Sequence, residues 1–157
     1  MTGFLFIIVL IIILALDRVT KHYAIAVLGA GVTKSLIKGL VSLHYVENTG
    51  AAFSMLSEKK NFLTCFIFLA VICLTVYLIK NSEKSLFLNI SLILIIAGGC
   101  GNLIDRLLYG FVVDFIDPVF VNFAVFNVAD IAITVGAFLM AGYEIYGLVK
   151  ECKGKEQ

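Results

Sequence analysis

LFLNISLILIIAGGCGNLIDRLLYGFVVDFID, residues 86–117, is the stretch whose reading decides the fold. Its first part, from Leu86 to Ile104, is apolar for about the length needed to cross a hydrocarbon core of roughly 30 Å. Within it, Asn89 is expected to act as glue between helices. Gly98, Gly99 and Gly101 then allow close backbone approach between helices. Asn102, Asp105 and Arg106 follow at helix-compatible spacing, and after them FVVDFID reads as a short strand ended by a turn at Asp117-Pro118. One segment therefore supplies a membrane span, a polar cluster at its end and an extended run.

Working outward, three more stretches can span. One covers residues 4–28, broken only by Asp17, Arg18, Lys21 and their neighbours; the others cover 62–79 and 131–149. The first lacks a basic leader and a clear small-x-small cleavage site, so it reads as a retained helix. Composition agrees: 61% of the 157 residues are hydrophobic and 15% charged, against roughly 45–50% and about 25% in soluble domains. Mean hydropathy is +1.06. A chain this short could not bury so much apolar surface in water. Twelve basic and eleven acidic residues leave a formal charge of +1, which offers nothing to nucleic acid. The four cysteines form no CxxC pair and the two histidines lie in unrelated segments, so no metal site is expected.

Two connections are more than turns. Residues 29–61 contain VTKSLIKGLVSLHYV, with partial period-two alternation through Val41, Leu43 and Tyr45, and read as a strand-rich element at the membrane surface. Residues 105–130 carry the FVVDFID run and lead into the last helix through FNVADIAI. The fold expected is an all-α membrane protein of four helices with a small strand-rich cradle, forming a single domain. Charge orients it ambiguously. Five lysines lie on the side of both termini and residues 80–85, while seven basic residues lie on the other side. Those at 80–84 and 150–155 are dense and abut helix ends, where the positive-inside bias acts most strongly, which favours cytoplasmic termini.

A charge at the bilayer centre costs at least ~2.5–3.5 kcal/mol, so ionisable groups in or beside spans are functional candidates. Asp17 and Lys21 stand i, i+4 on one helix face and can neutralise each other. Asp105 and Arg106 fit an interfacial ion pair. Asn127 and Asp130 have the spacing of a capping box. Asp114, amid Val112, Val113, Phe115 and Ile116, is either a strand acid facing water or half of a carboxylate pair with Asp130. Two carboxyls about 3 Å apart cannot both ionise. Such a pair would share a proton, one group acting as base on water and the other as acid to a carbonyl. Glu144, midway along the last span, is a candidate proton or ion site, or a snorkelling acid.

Taken together, LDRVTKHYA (16–24), ENTGAAFSML (47–56), GGCGNLIDRLLYGFVVDFID (98–117) and FNVADIAI (126–133) resemble the signatures of the lipoprotein signal peptidase family, signal peptidase II. The departures are Val125 where many members have proline, a hydrophobic 118–125 segment and the absence of tryptophan. The resemblance implies a membrane-embedded aspartyl endopeptidase of bacteria. It would cut the signal peptide from prolipoproteins just before a cysteine bearing diacylglycerol, without cofactor. Asp114 and Asp130 then match the catalytic pair, and Asn48, Asn102 and Arg106 match positions lining the substrate groove. Asp17, Lys21, Gly50, Asp105 and Asn127 match supporting positions. The resemblance also implies cytoplasmic termini, an active site near the outer face and contact with membrane lipids; a monomer is expected.

Two other classes compete. A small transporter or proton channel would use Asp17, Asp105 and Glu144, and would need polar residues spread through the depth of several spans. A non-catalytic scaffold would use the polar clusters only as helix contacts.

Overall fold

The computed structural model describes residues 2–29, 31–50, 60–83 and 85–154. Positions 51–56 of the ENTGAAFSML run, and Lys59, Lys84 and Lys155 of the charge count, lie outside them. The chain is mostly helical: α1 (Thr2–Tyr23, continued by a π-helical turn, Ala24–Leu28), α2 (Lys60–Asn81), α3 (Leu86–Tyr109) and α4 (Val128–Gly154). Among the described residues there are also three strands, β1 (Lys34–Ile37), β2 (Val41–Asn48) and β3 (Val112–Asp117). All four helices are long and apolar enough to cross a membrane.

The helices divide into one core element and three that face lipid. In α3, 67% of the spanning window is buried, against 6–17% in the others, so α3 is the axis of the bundle. Its Leu88, Leu92 and Ile96 pack against Leu10 of α1, Val71 and Leu74 of α2, and Met140 of α4. The outer helices turn large side chains such as Ile11, Phe66 and Phe138 outward, as a bilayer solvent requires. Close packing of α4 on α3 depends on small residues: a Cβ at Gly98 would collide with the Ala129 carbonyl.

Helix α3 does not stop at Ile104. Helical backbone continues through Asn102, Asp105 and Arg106 to Tyr109, because those side chains find partners on neighbouring elements, described below. It ends at Gly110, whose φ of 81° is the left-handed conformation glycine adopts without cost, and whose N–H donates to the Arg106 carbonyl at 3.1 Å. At its other end Ser85 is the N-cap, and the Asn89 amide donates to the Ser82 carbonyl at 2.6 Å. Asn89 thus ties the helix to the preceding loop rather than to another helix.

The sheet is antiparallel in the order β1-β2-β3. Its register places Val46 opposite Asp114 and Asn48 opposite Val112. Period two sends Val113 and Phe115 of β3 to one face, where they pack with Ala24 and Leu28 of the π-turn. Val112 and Asp114 therefore face the other way. Beyond the turn at Pro118 the chain returns, and Phe126 bridges Ile116: their N–H groups donate to each other's carbonyls at 3.0 and 2.8 Å. That pairing delivers Asn127 and the start of α4 alongside Asp114.

Candidate active site

Asp114 and Asp130 reach one cavity from two different elements. Its volume is about 530 Å³, and Asn48, Asn102 and Arg106 line it with the two acids. Its walls are apolar, including Leu63 and Ile67 of α2 and Ile131 and Val135 of α4. Asp114 is 2% exposed, so it is not a strand acid facing water.

The capping box is real and serves the site as well. The Asp130 N–H donates to Asn127 Oδ1 at 2.9 Å, and the Asn127 N–H donates to Asp130 Oδ2 at 3.1 Å. The Asn127 amide then donates to Asp114 Oδ1 at 2.6 Å. One asparagine thereby fixes both carboxylates. From the far sides, Asn48 Nδ2 donates to Asp114 Oδ2 at 2.8 Å, and Asn102 Nδ2 donates to Asp130 Oδ1 at 2.7 Å. Asn48 Oδ1 is held in turn by the Gly50 N–H at 2.9 Å.

Behind these residues lies a buried charge cluster that ties α1 to α3 and β3. Lys21 Nζ lies 3.1 Å from Asp17 Oδ2 and 2.7 Å from Asp105 Oδ2, and donates to Asn102 Oδ1 at 2.9 Å. An ammonium only donates, so it forces the Asn102 oxygen toward itself and the amide N–H₂ toward Asp130. Arg18 forks across both acids: Nη2 is 2.8 Å from Asp17 Oδ2, and Nη1 is 2.7 Å from Asp105 Oδ1. Nη2 also donates to the Gly101 carbonyl at 3.0 Å. Two acids and two bases cancel, which is what allows Lys21, Asp17 and Asp105 to be fully buried. A Cβ on Gly101 would sit 2.7 Å from Asp17 Oδ2 and push the cluster apart.

The cluster also anchors the elements bearing the carboxylates. Asp105 Oδ2 accepts from the Val113 N–H at 3.2 Å, at the start of β3. Asp17 Oδ1 accepts from the Ala129 N–H at 3.1 Å, one of the four donors a helix N-terminus leaves free. Arg106 stands at the cavity wall, its Nη2 donating to the Gly50 carbonyl at 2.8 Å.

Burial, and then the nearby Asp130 carboxylate, push the Asp114 pKa up to about 6, against the opposing hydrogen bonds from Asn48 and Asn127. A carboxyl with that value and a second carboxyl beside it can hold and pass a proton near neutral pH. Among the described residues no group of three or more His, Cys, Asp or Glu side chains is placed to hold a metal ion.

A family model described as Signal peptidase (SPase) II matches residues 9–146. The chain belongs to that family. It is therefore a peptidase, and its helices make it a multi-pass membrane protein. A lipoprotein signal peptidase of Streptococcus thermophilus is 44% identical over 128 residues, 82% of this chain and 84% of that protein. One from Streptococcus pyogenes is 40% identical over 136 residues, covering 87% and 90%. A solved bacterial membrane enzyme, determined by the in meso method at 2.3 Å, superposes with a TM-score of 0.82 at 34% identity, covering 96% of this chain and 90% of that one.

In this peptidase every residue picked out from the motifs lies in the cavity, the charge cluster or the links between them. Arg18 belongs with them, although the motif reading gave it no role. Its position beside Asp17 and three residues before Lys21 was the available signal. Glu144 does not belong. It is exposed on α4, about 21 Å along the helix from Asp130 at roughly 1.5 Å per residue. Asp117 is also apart, half-buried at the end of β3 and 3.5 Å from His44 Nδ1.

Proposed function

We propose that this peptidase removes the signal peptide from diacylglyceryl-modified prolipoproteins by aspartic catalysis at Asp114 and Asp130, cutting just before the lipid-bearing cysteine. The observation that carries the reading is the joint clamp of the two carboxyls by Asn127 in an apolar-walled cavity. Like charges so placed share one proton. The ionised member takes a proton from a water as it attacks the scissile carbonyl, while the protonated member donates to the carbonyl oxygen. The roles then reverse as the tetrahedral centre collapses and the amine leaves. Asn48 and Asn102 hold the carboxyls in place as charge moves between them, and Arg106 sets a positive charge at the rim.

The cavity fits such a substrate. A signal peptide is itself an apolar helix and has to arrive sideways from the bilayer, so its cleft needs apolar walls with acids at one end. In this reading the four spans and the sheet form one peptidase domain that acts as a monomer, since one chain supplies both carboxyls. Both termini are cytoplasmic, and the sheet and acids lie near the outer face. The position of Glu144 argues against a transporter, which would need titratable groups leading through the depth of the bundle.

The substrate's lipid works chiefly by positioning. Its chains already lie in the bilayer before binding, so most of the ~0.8 kcal/mol per buried CH₂ is not gained again. Fixing the cysteine's depth holds the adjacent bond level with the acids, where a misplacement of about 1 Å can cost about 100-fold. Single-turnover cleavage of two precursors, identical except for the lipid, tests this. The lipidated form should be cut far faster, and equal rates would assign the enzyme some other specificity.

A further inference from the structure

Hydroxyls on these helices usually bond back to their own backbone. Thr20 donates to the Leu16 carbonyl at 2.8 Å, Thr75 to Val71 at 2.7 Å and Ser91 to Phe87 at 2.8 Å, the common way to hide a hydroxyl in a membrane helix. Thr134 does not. It is exposed, lines the cavity, and among the described residues its hydroxyl has no hydrogen-bond partner. It also stands i, i+4 from Asp130, so both side chains lie on one face of α4, about 6 Å apart along the axis. The same cavity is lined by the apolar side chains of Leu63, Ile67, Ile131 and Val135.

We infer that Thr134 is a substrate-contacting residue, its hydroxyl donating to a backbone carbonyl of the bound peptide on the signal-peptide side of the scissile bond. The inference rests on the prolipoprotein reading above. To present a peptide bond to two carboxyls the substrate must be extended there, so its backbone groups lose their helical partners. Left unpaired at membrane depth, each such group costs several kcal/mol. An extended chain rises about 3.3 Å per residue, so a 6 Å displacement along α4 corresponds to about two residues before the cut. Among the described residues that α4 contributes to the lining beyond Asp130, namely Ile131, Ile133, Thr134 and Val135, the polar side chain is Thr134.

Thr134→Val keeps the shape and removes the hydroxyl, while Thr134→Ser keeps the hydroxyl. With a diacylglyceryl-modified precursor, Thr134→Val should raise KM about 5- to 150-fold with little change in kcat, because it leaves the carbonyl unpaired in both ground and transition states. Thr134→Ser should stay close to wild type. Placing an ester in the precursor's backbone two residues before the cut weakens the carbonyl acceptor, and should shrink the difference between wild type and Thr134→Val. An unchanged KM in Thr134→Val, a loss confined to kcat, a serine variant as impaired as valine, or an ester with no effect on the difference would each overturn the contact. If wild-type enzyme leaves the lipidated precursor uncut, the function itself is refuted and the contact with it. Cleavage by wild type with no effect of valine refutes the contact alone.

Discussion

Replacing Asp114 by Asn should abolish cleavage and, separately, remove a pH dependence of stability whose size follows from the site. The wild-type carboxyl is held at about 6 by burial and by Asp130, against an ordinary 3.8. Between those values the native state binds more protons than the unfolded state, so stability is greatest below the lower value and is lost as pH rises through the upper one. At about 1.4 kcal/mol per pH unit the loss is about 3 kcal/mol. Because the side chain is buried, solvent screening does not reduce this much. Asparagine cannot ionise, so the variant lacks the slope. It carries a different, pH-independent cost. Asn48 and Asn127 both donate N–H groups to Asp114, and an amide has only one oxygen to receive them, which costs about 1–3 kcal/mol. The absolute stability of the variant is therefore less telling than its slope. Denaturation in mixed micelles, measured for both proteins from about pH 3 to pH 7, should show the difference between them shift toward the variant by about 3 kcal/mol. Single-turnover cleavage should fall by at least about 1,000-fold, since paired catalytic groups act as a unit. Asp117→Asn on the same strand should change cleavage only a few-fold. A stability difference constant with pH would refute the account of the buried pair, and cleavage retained in Asp114→Asn would refute the catalytic assignment.

The charge cluster makes its own prediction. Lys21→Met leaves Asp17 and Asp105 to Arg18 alone and frees Asn102 to turn, so it should lower stability by about 3–5 kcal/mol and cleavage with it; wild-type stability in the same micelle denaturation would show that the cluster holds nothing together. Orientation can be read by reporter fusions, which should be cytoplasmic after Lys80 and external near Lys34 or Val119; a cytoplasmic signal at Lys34 would place the acids on the wrong face.

Much of this molecule is written locally. The four spans follow from apolar runs about 20 residues long, because a bilayer imposes length and composition on anything crossing it. The capping box of Asn127 and Asp130, the Asp17–Lys21 pair and the strand around Asp114 are likewise short-range patterns, fixed by spacings of three, four and two residues. The third span's true end was not legible from hydropathy. A run of Asn102, Asp105 and Arg106 reads as the edge of a membrane helix, yet α3 continues through it, since α1, α4 and β3 supply partners for Asn102 and Asp105 and the Gly50 carbonyl accepts from Arg106. Nor does apolar sequence tell which face of a membrane helix is buried, because lipid-facing and core-facing positions are equally hydrophobic. Only packing reveals α3 as the axis, and Glu144 as an outward acid.

The geometry of the candidate site belongs wholly to the tertiary structure. Asp114 and Asp130 are separated by a turn and a returning segment, and they meet because Phe126 pairs with Ile116 and sets Asn127 between them. Motif resemblance could name both acids. The direction of the Asn102 amide, the fork of Arg18 across Asp17 and Asp105, and the unpartnered hydroxyl of Thr134 depend on which groups lie across the gap between elements. A hydrogen bond is short and directional, so sequence can supply its two ends, and only the fold decides whether they face each other.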